Sequence, residues 1–145
     1  MTIALLEKHR RVGIDSNVLI YLLEGSGQLA DKSAALLDAI AAGEASGVLA
    51  TLCLTEVCSG PARAGDLALV ERYADELASL ENVRVVPLDA DVAVDAAVIR
   101  GATSLSIGDA IHLACARKAA ATVFVTNDRR VAPINRLEVA YLDEL

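Results

Sequence analysis

The chain has no Trp, a single Phe and only two His. Aromatic residues together make up only 3% of it. Cysteine is scarce as well: Cys53, Cys58 and Cys115 make an odd count with no CxxC pair. That excludes a zinc ribbon and a disulfide framework, and leaves core thiols of a reducing compartment as the plain reading. No apolar run is long enough to span a bilayer. Met1–Leu6 is apolar but Glu7–Arg11 follows at once, the reverse of a secretory signal, so a cytoplasmic protein with no membrane partner is expected. Basic excess is lacking too. The formal charge is −7, whereas a protein that merely grips phosphates is basic.

What is present is apolar: 54% of 145 residues, rich in Ala, Leu and Val. That supports one domain spanning residues 1–145 with a real core. Short β-branched runs alternate with helical patterns. Val12–Asp15, Gly47–Leu52, Val83–Leu88 and Ala121–Thr126 read as strands, and Glu138–Leu142 as an edge strand. Val18–Glu24, a helix opened by Asp31, Asp66–Leu80, Asp89–Arg100 and Ser106–Ala119 read as helices. Thr55-Glu56-Val57 starts a short helix that Gly60-Pro61 is expected to break. Ser16-Asn17 can cap the first of these helices. The alternation predicts α/β architecture, a three-layer α/β/α sandwich with a mainly parallel central sheet.

Four carboxylates fall beside these buried runs. Asp15 ends the first strand, Glu56 opens the helix after the second, Asp109 lies in the first turn of its helix, and Asp128 follows the strand ending at Thr126. Acids at such places are costly without compensation. In parallel sheets, ligands collect at the carboxyl ends of strands, where all four can meet. Carboxylates forced together repel unless a hard cation joins them, and Mg²⁺ or Mn²⁺ with oxygen ligands suits hydrolysis of a phosphodiester. Each acid also has an ordinary reading: Asp15 as a helix cap, Glu56 and Asp109 as helix-start carboxylates, Asp128 as a turn residue. His112, one turn beyond Asp109, reads either as a proton shuttle or ligand, or as a residue packing and hydrogen-bonding locally, the commoner role. Arg129 and Arg130 read as phosphate contacts or as a surface pair. His9 reads as solvated, and the run Lys8–Arg11 as an RNA-contacting arm or, the commoner outcome, as a solvated charge run.

The segments VGIDSNVLIYLLE (Val12–Glu24), TLCLTEV (Thr51–Val57), SIGDAIHLA (Ser106–Ala114) and FVTND (Phe124–Asp128), in this order and spacing, resemble the PIN-domain ribonucleases, and most closely the VapC-type toxins of toxin–antitoxin pairs. The resemblance covers roughly residues 12–142. It implies that Asp15 and Asp109 are principal metal ligands, that Glu56 and Asp128 complete the acidic cluster directly or through water, and that Ser16, Thr126 and Asn127 orient carboxylates or waters around them. It implies metal-dependent RNA cleavage, an RNA substrate, a homodimer and a cognate antitoxin. The ten residues before the first strand depart from the family pattern, so 1–11 read as an N-terminal extension. Val18, Leu19, Leu22, Leu23 and the helix Ala34–Ala41 supply apolar surface for a groove that would take an antitoxin helix. Alternatives from other classes are a phosphoryl-transfer protein, either a haloacid-dehalogenase-like phosphatase or a receiver module, and a non-catalytic binding subunit of the same fold. The first lacks a second Asp at position 17, and the receiver pattern lacks a Lys after Thr126.

Overall fold

Five short strands, each apolar on at least one face, form a single parallel sheet in the computed structural model, which describes residues 3–145. A short helix α1 (Ala4–Lys8) leads into β1 (Arg11–Ile14), then α2 (Ser16–Glu24), α3 (Gln28–Ala41), β2 (Ser46–Ala50), α4 (Leu52–Arg63), α5 (Leu67–Ala78), β3 (Val83–Val86), α6 (Ala90–Ala102), α7 (Ile107–Lys118), β4 (Val123–Thr126) and β5 (Glu138–Tyr141). The strand order is β3-β2-β1-β4-β5, with every pairing parallel. Parallel strands need crossover helices, and those helices cover both faces. Alternate residues of β1 divide accordingly. Val12 and Ile14 join a core with α2, α3, α4 and α5, while Phe124 of β4 joins the opposite core with α6 and α7. The α/β/α sandwich expected from the alternation is the fold observed, and its sheet is wholly rather than mainly parallel.

The central strand permits close packing because residue 13 is glycine. A Cβ at Gly13 would stand 2.7 Å from the Ala116 Cβ and 2.9 Å from Phe124 Cδ1. Helix α7 therefore rides directly on β1, which brings its first two turns to the end of that strand.

Several local expectations are corrected. Pro61 does not break its helix but lies within α4, three residues from the end. So near the terminus, a proline forfeits a single hydrogen bond, and here its ring is buried. The helix expected to end at Arg100 runs on through Gly101 to Ala102, and Thr103 terminates it. The cap of α2 is Asp15 rather than Ser16 or Asn17. His9 is not solvated. It is buried, with Nδ1 2.8 Å from Thr122 Oγ1 and Nε2 3.0 Å from Glu138 Oε2. Leu6 is buried too, so α1 is anchored across the amino ends of β4 and β5. Met1 and Thr2, the start of the expected 1–11 extension, lie outside the described residues. Val18 and Leu19 are wholly buried in the core, so of that set Leu22, Leu23, Ala34, Ala35 and Ala41 keep partial exposure. Among the described residues no helix is long and apolar enough to cross a membrane.

Candidate active site

The strand order reverses at β1, with β2 on one side and β4 on the other, which is where an open parallel sheet leaves a crevice at its carboxyl edge. Asp15 sits at that point. Its backbone N–H extends the ladder to Val125 O at 2.9 Å, so the residue is fixed between the end of β1 and the start of α2. The residue is only 4% exposed. It accepts hydrogen bonds from Ser16 N–H at 2.8 Å, from the Thr126 hydroxyl at 2.7 Å and from Asn17 Nδ2 at 3.3 Å. Burial is the largest influence on this acid and raises its pKa. The charge of His112, the Thr126 hydroxyl and the Ser16 N–H oppose the rise, and Asp109 adds to it.

Glu56 projects from the second turn of α4, and its side chain is 40% exposed. It accepts from Ser16 Oγ at 3.2 Å and is hydrogen-bonded to His112 Nε2. Burial pushes its pKa up, but the His112 hydrogen bond and charge and the Ser16 hydroxyl outweigh that, and the net shift is downward. His112 Nε2 also lies 4.0 Å from Asp15 Oδ1. Burial disfavours the imidazolium, yet Glu56, Asp15 and Asp109 together raise the His112 pKa. Asp109 occupies the first turn of α7, where Ser106 caps the helix by accepting from its N–H at 3.1 Å. Asp109 and His112, three residues apart on α7, share one face.

Asp128 stands apart from this group. Its N–H donates to Thr126 Oγ1 at 3.1 Å, but its carboxylate is clasped by Arg130, with Nη2 2.7 Å away, and that pairing lowers its pKa. Arg129 reaches the other way, to Asp143 at 2.7 Å, with its guanidinium 3.9 Å above the Tyr141 ring. Asn127 meets the site through its backbone, whose N–H donates to Asn17 Oδ1, while its own Oδ1 accepts from Asp143 N–H. Hydrogen bonds therefore bring Asp15, Glu56, Ser16 and Thr126 together, Asp109 lies near enough for its charge to act on Asp15, Asp128 adjoins them through Thr126, and Arg129 faces the C-terminal acids.

Asn17 is not marked as a member by sequence, and His112 reads there as a ligand or shuttle or, more readily, as a local contact. Asn17 ties Asp15 to Thr126, donating to both, and its place two residues beyond Asp15 was the available signal. His112 does not act locally: its partner lies 56 positions away on α4. Among the described residues no three His, Cys, Asp or Glu side chains form a ready-made metal-binding group. The donor chemistry is still that of a hard cation. Mg²⁺ is commonly held by one or two carboxylates with the remaining positions left to water, and Asp15 with Asp109 could supply such a pair.

Fold and site together define a three-layer α/β domain with carboxylates gathered at the carboxyl edge of a parallel sheet. The PIN domain model matches residues 12–137, and the chain belongs to that family. No curated protein sequence matches it. Solved structures of similar fold include VapBC2 from Rickettsia felis bound to a promoter DNA fragment (TM-score 0.72, 15% identity, 90% of this chain and 98% of that one). FitAcB from Neisseria gonorrhoeae is similar at TM-score 0.70 and 21% identity over 93% and 99% of the two chains. A toxin–antitoxin complex from Klebsiella pneumoniae is similar at TM-score 0.66 and 20% identity over 88% and 94%.

Proposed function

We propose that the chain is a divalent-metal-dependent endoribonuclease and the toxin of a toxin–antitoxin pair, working in the cytoplasm. The observation that carries this is the buried Asp15 carboxylate at the switch point of a PIN-family sheet, with Glu56 and Asp109 beside it. Asp15 and Asp109 would hold Mg²⁺ or Mn²⁺, and Glu56 and Asp128 would complete the acidic edge. When bound, such an ion supplies Lewis acidity toward a phosphoryl oxygen and makes water a better nucleophile. The chain's own part is orientation. Ser16 N–H, Thr126 and Asn17 fix the Asp15 carboxylate from three sides, so it needs little reorganisation on binding. Arg130, exposed on the rim and held by Asp128, is placed to exchange that carboxylate for a substrate phosphate. Family membership leaves the phosphatase and receiver alternatives without support.

Partners follow from the same reading. Leu22, Ala34, Leu37, Ala41 and Leu80 line a groove of 280 Å³ bordered by Asp38 and Glu81, suited to a basic amphipathic antitoxin helix. One of the similar folds named above, that from Klebsiella pneumoniae, is a toxin–antitoxin complex. On the opposite face, Val94 and Val98 of α6 are 66% and 62% exposed, one turn apart, and suit a homodimer contact.

The test is cleavage of RNA with Mg²⁺ or Mn²⁺, with and without chelator, by wild type and Asp109→Asn. Metal-dependent cleavage lost in the variant is the expected result. Undiminished cleavage by Asp109→Asn refutes the assignment, and a folded wild type that cleaves nothing favours a non-catalytic binding subunit.

A further inference from the structure

His112 belongs to none of the four acid positions, yet like Ser16 it lies against two of the acids at once. It is 2% exposed, hydrogen-bonded through Nε2 to Glu56 and 4.0 Å from Asp15 Oδ1. Its other nitrogen, Nδ1, is buried without a partner. Buried polar atoms are nearly always paired, so a ring that leaves one nitrogen unpaired is oriented by the contact its other nitrogen makes. That contact is Glu56. The carboxylate of Glu56 hangs on three rotatable bonds from a half-exposed position, and a side chain of that kind turns to solvent unless something holds it. Only Ser16 Oγ and His112 do so, and they approach different oxygens.

We propose that His112 is a positioning residue that draws the Glu56 carboxylate into the site beside Asp15 and Asp109, and thereby sets the affinity of the site for a divalent cation. The inference rests on the metal-dependent reading given above. It makes α7 the source of two functions one turn apart: Asp109 as an acid of the cluster, and His112 as the hook for an acid on another helix.

The test is Mn²⁺ binding by calorimetry, without RNA, on folded protein verified by circular dichroism. Wild type binds. His112→Leu is expected to weaken binding by about 10- to 100-fold, the usual effect of losing a residue that orients a ligand. His112→Gln, whose amide N–H can still reach Glu56, should recover most of it. In a Glu56→Gln background, His112→Leu should cost nothing further. Wild-type affinity in His112→Leu, failure of Gln to rescue, or independent losses in the double variant would each overturn the proposal while leaving the metal-dependent reading standing. A wild type that binds no Mn²⁺ removes that reading and this one with it. Should His112→Leu not fold, the imidazole nitrogen resonances of wild type decide: they are expected to move in Glu56→Gln, and unchanged resonances refute the contact.

Discussion

Substituting Gly13 by Ala tests the close approach on which the site depends. Carbon atoms in favourable contact lie about 3.5–4 Å apart. The added methyl would meet Ala116 Cβ at 2.7 Å and Phe124 Cδ1 at 2.9 Å, so one neighbour must withdraw by roughly 1 Å. The Phe124 ring can turn, but Ala116 Cβ is fixed to the backbone of α7, and the helix itself has to move. Overpacking of this kind costs about 1–3 kcal/mol. Replacing a strand glycine returns about 0.5–1 kcal/mol of backbone entropy, so the net loss is about 0.5–2 kcal/mol. For 145 residues the unfolding entropy is about 0.3 kcal/mol per kelvin, so Tm falls by about 2–7 °C. Thermal melts followed by circular dichroism in chelator measure this without reference to activity. Adding Ala116→Gly removes the fixed obstacle, and the double variant should lose less than the two single losses combined. The withdrawal also carries Asp109 and His112 away from Asp15 and Glu56, so Mn²⁺ affinity should fall in the single variant and recover in the double. A Gly13→Ala protein that melts within about 1 °C of wild type, or two losses that simply add, would refute the packing of α7 on β1 as the device that builds the site.

Three further outcomes are expected. A thiol reagent at pH 8 should label one cysteine of the native protein, Cys58, and all three in denaturant, because Cys53 and Cys115 are buried and burial pushes the Cys115 thiol up to about 11 and the Cys53 thiol further; labelling of three in the native state would refute the buried assignment. Val94→Glu with Val98→Glu should convert a dimer to a monomer in sedimentation with little change in Tm, since both side chains are exposed, and an unchanged sedimentation coefficient would remove α6 from the interface. Lys8, and after it His9, hold the Glu138 carboxyl below its usual value of 4.5. A folded pKa below the unfolded one gives stability that is present above pH 4.5 and lost as pH falls through the folded value. The melting difference between wild type and Glu138→Gln should therefore be present at pH 7 and close on acidification. A difference that does not change with pH would show that the α1 anchor is steric rather than ionic.

The layered fold was legible because its signals are periodic and local. Short β-branched strands separated by helical patterns admit few arrangements other than a parallel sheet covered on both faces. The failures share a cause: each depends on what lies across the fold. Pro61 is tolerated because it comes late in α4 and its ring finds the core. His9 is buried because Thr122 and Glu138, more than a hundred positions away, offer it both hydrogen bonds. Neither partner can be chosen from the sequence, since every strand end in such a fold has equal title to the N-terminal segment. The same holds at the acidic edge. That Asp15 would end a strand and Asp109 open a helix could be read from their neighbours, but the Glu56–His112 contact joins two helices whose packing no local pattern encodes.

The acids also differ in how the protein compensates them, and this could not be read from their motifs. Arg130 meets the charge of Asp128, and His112 and Ser16 meet that of Glu56. Both carboxyls shift downward as a result. Asp15 shifts upward, because three hydrogen bonds and a nearby imidazole fall short of the cost of its burial and of Asp109 beside it. On the metal-dependent reading proposed above, a cation at this edge would have least to offer Asp128, which Arg130 already clasps, and most to offer Asp15, whose buried carboxylate is the least compensated of the three. Glu56 would join it as far as His112 holds that carboxylate in place, and a substrate phosphate would be the anion to draw Arg130 away from Asp128.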